Sequence, residues 1–199
     1  MESNSNYKNI AKQFSNKRQY QWTWITDFIK SNVKNSLILD VGCGNGRNMD
    51  YQNYKFIGID NCKEFVKICK DDGKNVLLSN MTNIPFTDGY FDAIISIASF
   101  HHLNNDTDRN QCLQELQRLL KYNGKVLLSV WSIDQHHNKK LNFNYGDNYI
   151  PWKNNKGEIL KMRYYYIFKL DELSNLLKKY FTIKHHSWIH GNEVFILSL

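Results

Sequence analysis

The stretch from Leu37 to Gly46 constrains the fold of this chain more than any other part of its sequence. Apolar residues at positions 37, 38, 39 and 41 surround Asp40 and predict a short buried strand of a parallel sheet. Glycines follow at positions 42, 44 and 46, and they let the backbone turn sharply and let a ligand approach it closely. Ligands of open α/β folds bind in the crevice beyond the carboxyl ends of the strands, where Asp40 is expected to point.

A second predicted strand, Lys55–Asp60, also ends in an acid, 20 positions after Asp40. A carboxylate at that place can accept hydrogen bonds from both hydroxyls of a ribose, so the two acids together predict a ligand that contains a nucleoside. The dinucleotide-binding fingerprint would need its third glycine at position 47, which is Arg47. The pattern Asp-x-Gly-x-Gly-x-Gly instead resembles motif I of class I S-adenosylmethionine-dependent methyltransferases. A generic nucleotide loop or an ordinary tight turn remains the alternative interpretation.

Charge and cysteine content limit the partners and the compartment. The formal net charge of +7 favours a polyanionic partner, although a lysine-rich solvated surface would explain it equally well. The 4 cysteines are scattered without zinc-ligand spacing, and the 7 histidines include three adjacent pairs, which make poor chelators, so no metal site is expected. The polar N-terminus and the lack of an apolar run of about 20 residues predict a soluble, cytoplasmic chain with no membrane partner.

Helix and strand patterns alternate along the chain and predict a single domain over residues 1–199. The N-terminal residues 1–35 are expected to form a helical cap, and residues 136–162, which are polar, basic and aromatic, a mobile substrate loop. The predicted helices are 7–15, 21–31, 62–72, 106–121 (stopped by Asn123–Gly124) and 170–179. The predicted strands after the first two are 75–79, 91–98, 125–131, and an antiparallel pair at 181–189 and 194–199.

Several stretches together resemble the tRNA wobble-uridine carboxymethyl methyltransferase family. They are Ile10–Ser15 with Arg18, Asp40–Gly46, Ile95–Ala98 with His101–His102, Pro151–Trp152, and Arg163–Tyr165 with Glu172–Leu173. The resemblance covers nearly the whole chain. It implies an α/β fold: one class I methyltransferase (Rossmann-like) domain, with a seven-stranded mostly parallel sheet, helices on both faces and an N-terminal helical lid. The chain departs from the family pattern in two places. Asn80 replaces the acid that holds the adenine amino group, and the segment between Trp152 and Arg163 is short.

The activity implied by the resemblance is methyl esterification, with S-adenosylmethionine as cofactor, of 5-carboxymethyluridine at the anticodon wobble position. The residues implied to bind the cofactor are Asp40, Gly42, Cys43, Gly44, Asp60, Asn61, Asn80, Met81 and Ala98. Those that would position the substrate are Arg18, His101 and Arg163, and those that would bind its base are His102, Trp131, Trp152, Tyr164 and Tyr165. A carboxylate has a pKa near ~4 and is already a nucleophile at neutral pH, so no general base is expected.

The expected partners are the tRNA anticodon loop, rather than DNA, and a small zinc-binding methyltransferase activator subunit. The family resemblance implies the activator, and the third strand at 75–79 would be a sheet edge open to pairing with another chain. We therefore expect a heterodimer formed on that side. Two other interpretations stay open at this point: a small-molecule methyltransferase on the same fold, and a catalytically weak RNA-binding relative.

Overall fold

The computed structural model describes residues 21–136, 142–153 and 157–199. The predicted helix at 7–15 and Arg18 therefore lie outside the described residues. Within them, the N-terminal cap contributes one helix, α1, at Thr23–Lys30. No helix among the described residues is long and apolar enough to cross a membrane.

A seven-stranded sheet forms the centre of the molecule, as predicted. Its strands are β1 Leu37–Val41, β2 Lys55–Asp60, β3 Val76–Leu78, β4 Phe91–Ile97, β5 Leu120–Trp131, β8 Thr182–Ile189 and β9 Asn192–Ser198. They lie side by side in the order β3-β2-β1-β4-β5-β9-β8, in which the first five strands run parallel and β9 is antiparallel to both of its neighbours. The helices after α1 are α2 Lys63–Asp71, α3 Asp106–Leu119 and α4 Leu170–Leu177, with a short 3-10 helix at Phe100–His102.

Apolar side chains on both faces of the sheet bury the central strands. Successive residues of a strand point to opposite faces, so Ile94 packs on one side and Ile95 on the other. The apolar stripe of α1 covers the Ile95 face, while α3 and α4 cover the Ile94 face. This two-sided burial explains why the central strands read as continuous apolar runs rather than as alternating patterns.

The boundary between α3 and β5 differs from the prediction. The helix ends at Leu119 rather than at 121, and β5 begins at Leu120, which pairs with Phe91. The glycine at 124 is therefore not a helix stop. A Cβ on Gly124 would lie 2.6 Å from Cδ1 of Leu120 and 2.8 Å from the carbonyl oxygen of Asp92. This close approach inside the sheet explains the glycine.

The segment 136–162, predicted as a loop, contains most of a second sheet, and the prediction is wrong there. Strands β6 (Gly146–Lys153) and β7 (Ile159–Ile167) pair antiparallel as a hairpin. Its inner face buries Ile150, Tyr165 and Ile167 together with Phe143 and Trp131. The period-two pattern is hidden in the sequence because the inner face also carries Asn148 and Arg163, while the outer face carries Pro151 and Met162.

Candidate functional site

A cavity of about 410 Å³ opens at the carboxyl ends of the parallel strands. Gly42 follows β1, Asp60 ends β2, Ala98 follows β4 and Trp131 ends β5, and all of them line it. The β6–β7 hairpin forms the opposite side through a run of residues at 161–165. The cavity therefore lies in the crevice where the parallel order places ligands of this architecture.

The glycine loop lies against the end of β4, and Gly42 makes this possible. Its φ of +73° is in the left-handed region, and a Cβ there would lie 2.5 Å from Cβ of Ser99. The Ser99 hydroxyl donates to the carbonyl oxygen of Val41 at 2.8 Å, which joins the ends of β1 and β4. Ser99 also lines the cavity, although no motif in the sequence marks it as a site residue.

Asp60 organises the loop as well as lining the cavity. One carboxylate oxygen accepts from the backbone N–H of Gly44 at 2.9 Å, and the other accepts from the N–H of Cys62 at 2.8 Å. Burial raises the pKa of Asp60, and these backbone hydrogen bonds oppose the rise. Because each carboxylate oxygen has a second lone pair, both oxygens can still accept from a ligand.

Asp40 lies beneath the loop rather than in the cavity wall. Only 1% of it is exposed, and its Oδ2 has no hydrogen-bond partner among the described residues. Burial raises the pKa of Asp40 to about 7, against the lowering effect of Arg47. An acid buried at such a cost beside a cavity is a candidate for a functional group.

Arg47 is the cation on this side of the cavity, whereas in the sequence it counts only against a dinucleotide-binding fingerprint. Its guanidinium lines the cavity and lies 5.0 Å from the ring centre of Trp22. Burial lowers the pKa of Arg47, which the carboxylate of Asp40 counteracts. Its position directly after the glycines was the signal that could have identified it.

Five other predicted cofactor residues, Cys43, Gly44, Asn61, Met81 and Ala98, line the cavity, but Asn80 does not. The side-chain oxygen of Asn80 accepts from the N–H of Thr82 at 3.3 Å, and Asn80 bridges to Asn83 across a turn. Asn80 therefore does not lie in the cavity wall, because its short amide side chain is hydrogen-bonded within the turn at residues 80–83. Its neighbour Ser79 lines the cavity.

The hairpin side of the cavity is aromatic and carries its own cation. Trp131 and Tyr165 stack with ring centres 4.5 Å apart and an interplanar angle of 8°. The Arg163 guanidinium lies 4.6 Å from the Trp152 ring centre and 5.2 Å from that of Tyr165. All four residues line the cavity.

The two adjacent histidines have different positions. His101 is fully buried and does not line the cavity; its Nδ1 accepts from the backbone N–H of Trp131 at 2.9 Å. Because that N–H can only donate, Nδ1 carries no proton and the ring is neutral. His101 thus holds the end of β5 from behind the cavity wall.

His102 lines the cavity and joins it to the hairpin. Its Nδ1 lies 2.7 Å from the carbonyl oxygen of Tyr164, which can only accept, so Nδ1 carries the proton. The Tyr164 hydroxyl donates to Asp147 at 2.6 Å and accepts from Arg109 at 3.3 Å. Burial and the bond to Asp147 raise the pKa of Tyr164.

Several lining residues were not singled out from the sequence. Besides Ser79, Ser99 and Arg47 they are Asn45, Asn48, Ile59, Cys62, Phe65, Ile97, Lys161 and Met162. Lys161 and Met162 were hidden because the hairpin was predicted as a loop. Among the described residues, no group of three or more histidines, cysteines or acids could hold a metal ion.

Comparison with known proteins assigns this architecture. Residues 39–128 match the family described as a methyltransferase domain. The tRNA (carboxymethyluridine(34)-5-O)-methyltransferase of Schizosaccharomyces pombe is 34% identical over 193 residues, with 86% of this chain and 84% of that protein covered. The Arabidopsis thaliana protein of the same name is 39% identical over 130 residues, 65% of this chain and 32% of its own length. The chain thus spans only about a third of that relative.

Solved structures share the fold at low identity. An S-adenosylmethionine-dependent methyltransferase from Clostridium acetobutylicum has a TM-score of 0.72 at 15% identity, covering 97% of this chain and 98% of that one. A chain from the complex between the Haloferax volcanii Trm112 methyltransferase activator and a methyltransferase has a TM-score of 0.67 at 14% identity, covering 97% and 95%.

The sheet order, the glycine loop with its two acids and these matches define an S-adenosylmethionine-dependent methyltransferase. More particularly, the chain belongs to the tRNA (carboxymethyluridine(34)-5-O)-methyltransferase family.

Proposed function

We propose that this chain methylates the carboxylate of 5-carboxymethyluridine at the wobble position of tRNA and produces the methyl ester. The observation that carries the proposal is a single cavity with two unlike sides. The glycine loop with Asp60 and Arg47 forms one side, and the Trp131–Tyr165 stack with Arg163 forms the other. A nucleoside cofactor suits the first side and a splayed base with an anionic substituent suits the second.

The residues on the first side fit S-adenosylmethionine. Asp60 keeps lone pairs for ribose hydroxyls, and Asp40 offers a buried acceptor, Oδ2, without a partner among the described residues. We assign Arg47 to the carboxylate of the cofactor's amino-acid group, and Asp40 to the positive charge on the same group. Met81 and Phe65 supply apolar surface for the adenine ring. When bound, the cofactor supplies a methyl carbon on a sulfonium, which the substrate carboxylate oxygen attacks as the carbon–sulfur bond breaks.

Catalysis in this proposal is alignment. Because the carboxylate is ionised at neutral pH, no side chain needs to remove a proton. The stack of Trp131 and Tyr165 holds the base. His101 fixes Trp131 by accepting a hydrogen bond from the backbone N–H of Trp131. Arg163 holds the substrate carboxylate while Trp152 and Tyr165 keep its guanidinium in place. Correct alignment of reacting atoms is worth several orders of magnitude in rate.

The proposed partners are tRNA and an activator subunit. Strand β3 is the edge of the sheet, and its residues Leu77 and Leu78 are exposed. We infer that the activator pairs with this edge, because an uncovered strand with apolar side chains favours pairing with another chain. The 4 free cysteines are all buried, which suits the reducing cytoplasm proposed as its location.

Calorimetric titration with S-adenosylmethionine, followed by transfer of labelled methyl to tRNA that lacks the wobble ester, tests the proposal. The transfer is measured with and without the activator subunit. We expect binding and a label in tRNA that mild alkali releases, because esters are labile to base. Binding without tRNA labelling in the presence of the activator would instead support a small-molecule substrate.

A further inference from the structure

The β6–β7 hairpin has an outer face that is exposed to solvent at Tyr149 and Met162. Directly opposite residues of an antiparallel pair share a face, and the register pairs Tyr149 with Tyr164 and Pro151 with Met162. The alternate residues Ile150 and Tyr165 pack inward. We call Tyr149, Pro151, Met162 and Tyr164 the outer platform. Tyr149 is 63% exposed and Met162 is 45% exposed.

One edge of the Tyr149 ring is held while the rest of the ring faces solvent. The ring meets that of Tyr164 in a T-shaped contact, with centres 5.5 Å apart and planes at 67°. The Tyr164 hydroxyl is fixed by two hydrogen bonds, because it donates to Asp147 and accepts from Arg109. Tyr149 is therefore supported by a rigid neighbour, which lowers the entropy that a stacking ligand would have to overcome.

The outer platform is continuous with the substrate side of the cavity. Met162 and Tyr164 belong to both, and Lys161 lines the cavity next to them. Lys153 is exposed at the end of β6, and Lys169 lies 5.9 Å from the exposed Tyr145 ring at its start. Asp147 also lies on this face, and its carboxylate accepts a hydrogen bond from the Tyr164 hydroxyl.

Exposed aromatic rings beside lysines are the combination by which proteins bind single-stranded RNA: the rings stack on bases and the lysines contact phosphates. A base that enters the cavity leaves its neighbours on the strand at the cavity rim, where the platform lies. The net charge of +7 favours the same partner.

We propose that the outer platform stacks an unpaired nucleobase next to the modified one in the anticodon loop, with Tyr149 as the stacking ring. This inference rests on the proposed function, since it presumes a tRNA substrate. The platform would add affinity for the RNA without taking part in methyl transfer.

The test compares wild type with Tyr149→Ala, Tyr149→Phe and Tyr149→Trp. Binding of an anticodon stem-loop RNA carrying 5-carboxymethyluridine is measured by fluorescence anisotropy, and methyl transfer is measured on the same RNA and on the free nucleoside. We expect Tyr149→Ala to raise the Kd and KM for the RNA roughly tenfold, as loss of one base–aromatic stack does. Its kcat and its activity on the free nucleoside should equal those of wild type. The Phe and Trp variants should retain binding because they retain a flat ring.

Tyr122→Ala, which removes an exposed tyrosine from β5, is the matched control and should change nothing. Met162→Ala is a second platform variant that does not depend on how Tyr149→Ala folds, and it should weaken RNA binding in the same direction. Unchanged RNA binding by both Tyr149→Ala and Met162→Ala would overturn the proposal that the outer platform binds RNA. The proposed function would still stand in that case if the wild-type protein methylated tRNA. Loss of binding by Tyr149→Phe would also overturn it, since the hydroxyl rather than the ring would then be the contact. Wild type that neither binds nor methylates the RNA would reject both proposals together.

Discussion

Asp40 carries the least expected property of any residue in the site. It is buried under the glycine loop with one carboxylate oxygen unpartnered among the described residues, and burial raises its pKa to about 7. In the ligand-free protein, the folded state therefore binds a proton on the Asp40 carboxyl more tightly than the unfolded chain does. Stability from this group is fully present below the unfolded pKa and is lost as pH rises through the folded pKa.

We expect the free energy of unfolding of the ligand-free protein to fall by about 2–3 kcal/mol between pH 5 and pH 8 from this residue. Asp40→Asn cannot titrate and should lose that part of the slope. Urea denaturation of both proteins at the two pH values measures the difference. Asp71→Asn, on the exposed surface of α2, controls for the loss of one negative charge. Identical slopes in wild type and Asp40→Asn would show that Asp40 is ionised in the folded protein.

Arg163 and Arg47 are cations on opposite sides of one cavity, so their roles can be separated by substitution. Arg163→Ala should lower kcat/KM for tRNA by roughly 10- to 100-fold, the range of one charge-assisted hydrogen bond, and leave the Kd for S-adenosylmethionine unchanged. Arg163→Lys should recover only part of the activity, because lysine lacks the planar group that lies over Trp152 and Tyr165.

Steady-state kinetics and calorimetry on each variant measure the two quantities separately. Arg47→Ala is the reciprocal control: it should weaken binding of S-adenosylmethionine more than it lowers kcat at saturating cofactor. If Arg163→Ala lost cofactor affinity or folding to the same degree as activity, its role would be structural.

At the scale of elements, the glycine loop works because two strand ends approach each other closely. Gly42 and Gly73 have the same φ of +73°, but a Cβ on Gly42 would overlap Ser99, whereas a Cβ on Gly73 would meet nothing within 4 Å. The pair therefore separates backbone strain from steric overlap.

Gly73→Ala should cost about 1–2 kcal/mol, the strain of a left-handed L-residue, and leave cofactor affinity unchanged. Gly42→Ala should cost about 1–3 kcal/mol more, because Cβ of Ser99 is fixed to the backbone and cannot swing away. It should also abolish cofactor binding. Thermal denaturation and calorimetric titration compare the two variants. Equal stability of the two would mean that the end of β4 moves without resistance.

The hairpin is the element that sequence patterns missed. Its inner face packs Ile150, Tyr165 and Ile167 against Phe143, but the same face also carries the polar residues Asn148 and Arg163. Tyr165 counts as polar in most patterns, yet here it is buried beneath Trp131. The stacking partner that makes Tyr165 a core residue lies 34 positions away in the sequence, so no local pattern could reveal it.

At the scale of the whole molecule, the β3 edge of the sheet exposes apolar side chains. Strand β3 has only three residues, and Leu78, at its end, is 49% exposed. A lysine at an edge strand blocks pairing with another chain, because its charge would have to leave water.

Leu78→Lys should weaken association with the activator subunit at least tenfold, since charges are seldom tolerated in a buried interface core. Calorimetry and size-exclusion chromatography of the mixed proteins measure this. Val33→Lys, on a loop residue that is 81% exposed, is the control and should associate normally. Normal association of Leu78→Lys would move the proposed interface away from β3.

The sequence by itself determined the parallel sheet, the ligand crevice and the nucleoside character of the ligand. These follow from local signals: apolar runs of strand length, glycines after a strand, and an acid at the end of each of two strands. These signals can be recognised in the sequence because each depends only on a few residues that are neighbours along the chain.

Only the tertiary structure decided how the site residues divide their work. Asp40 and His101 lie behind the cavity, Asn80 belongs to a turn, and Arg47 enters the cavity. The hairpin closes the far side and brings Arg163 into the cavity wall. Burial and hydrogen-bond partners set these roles, and both depend on residues distant in sequence that only folding brings into contact.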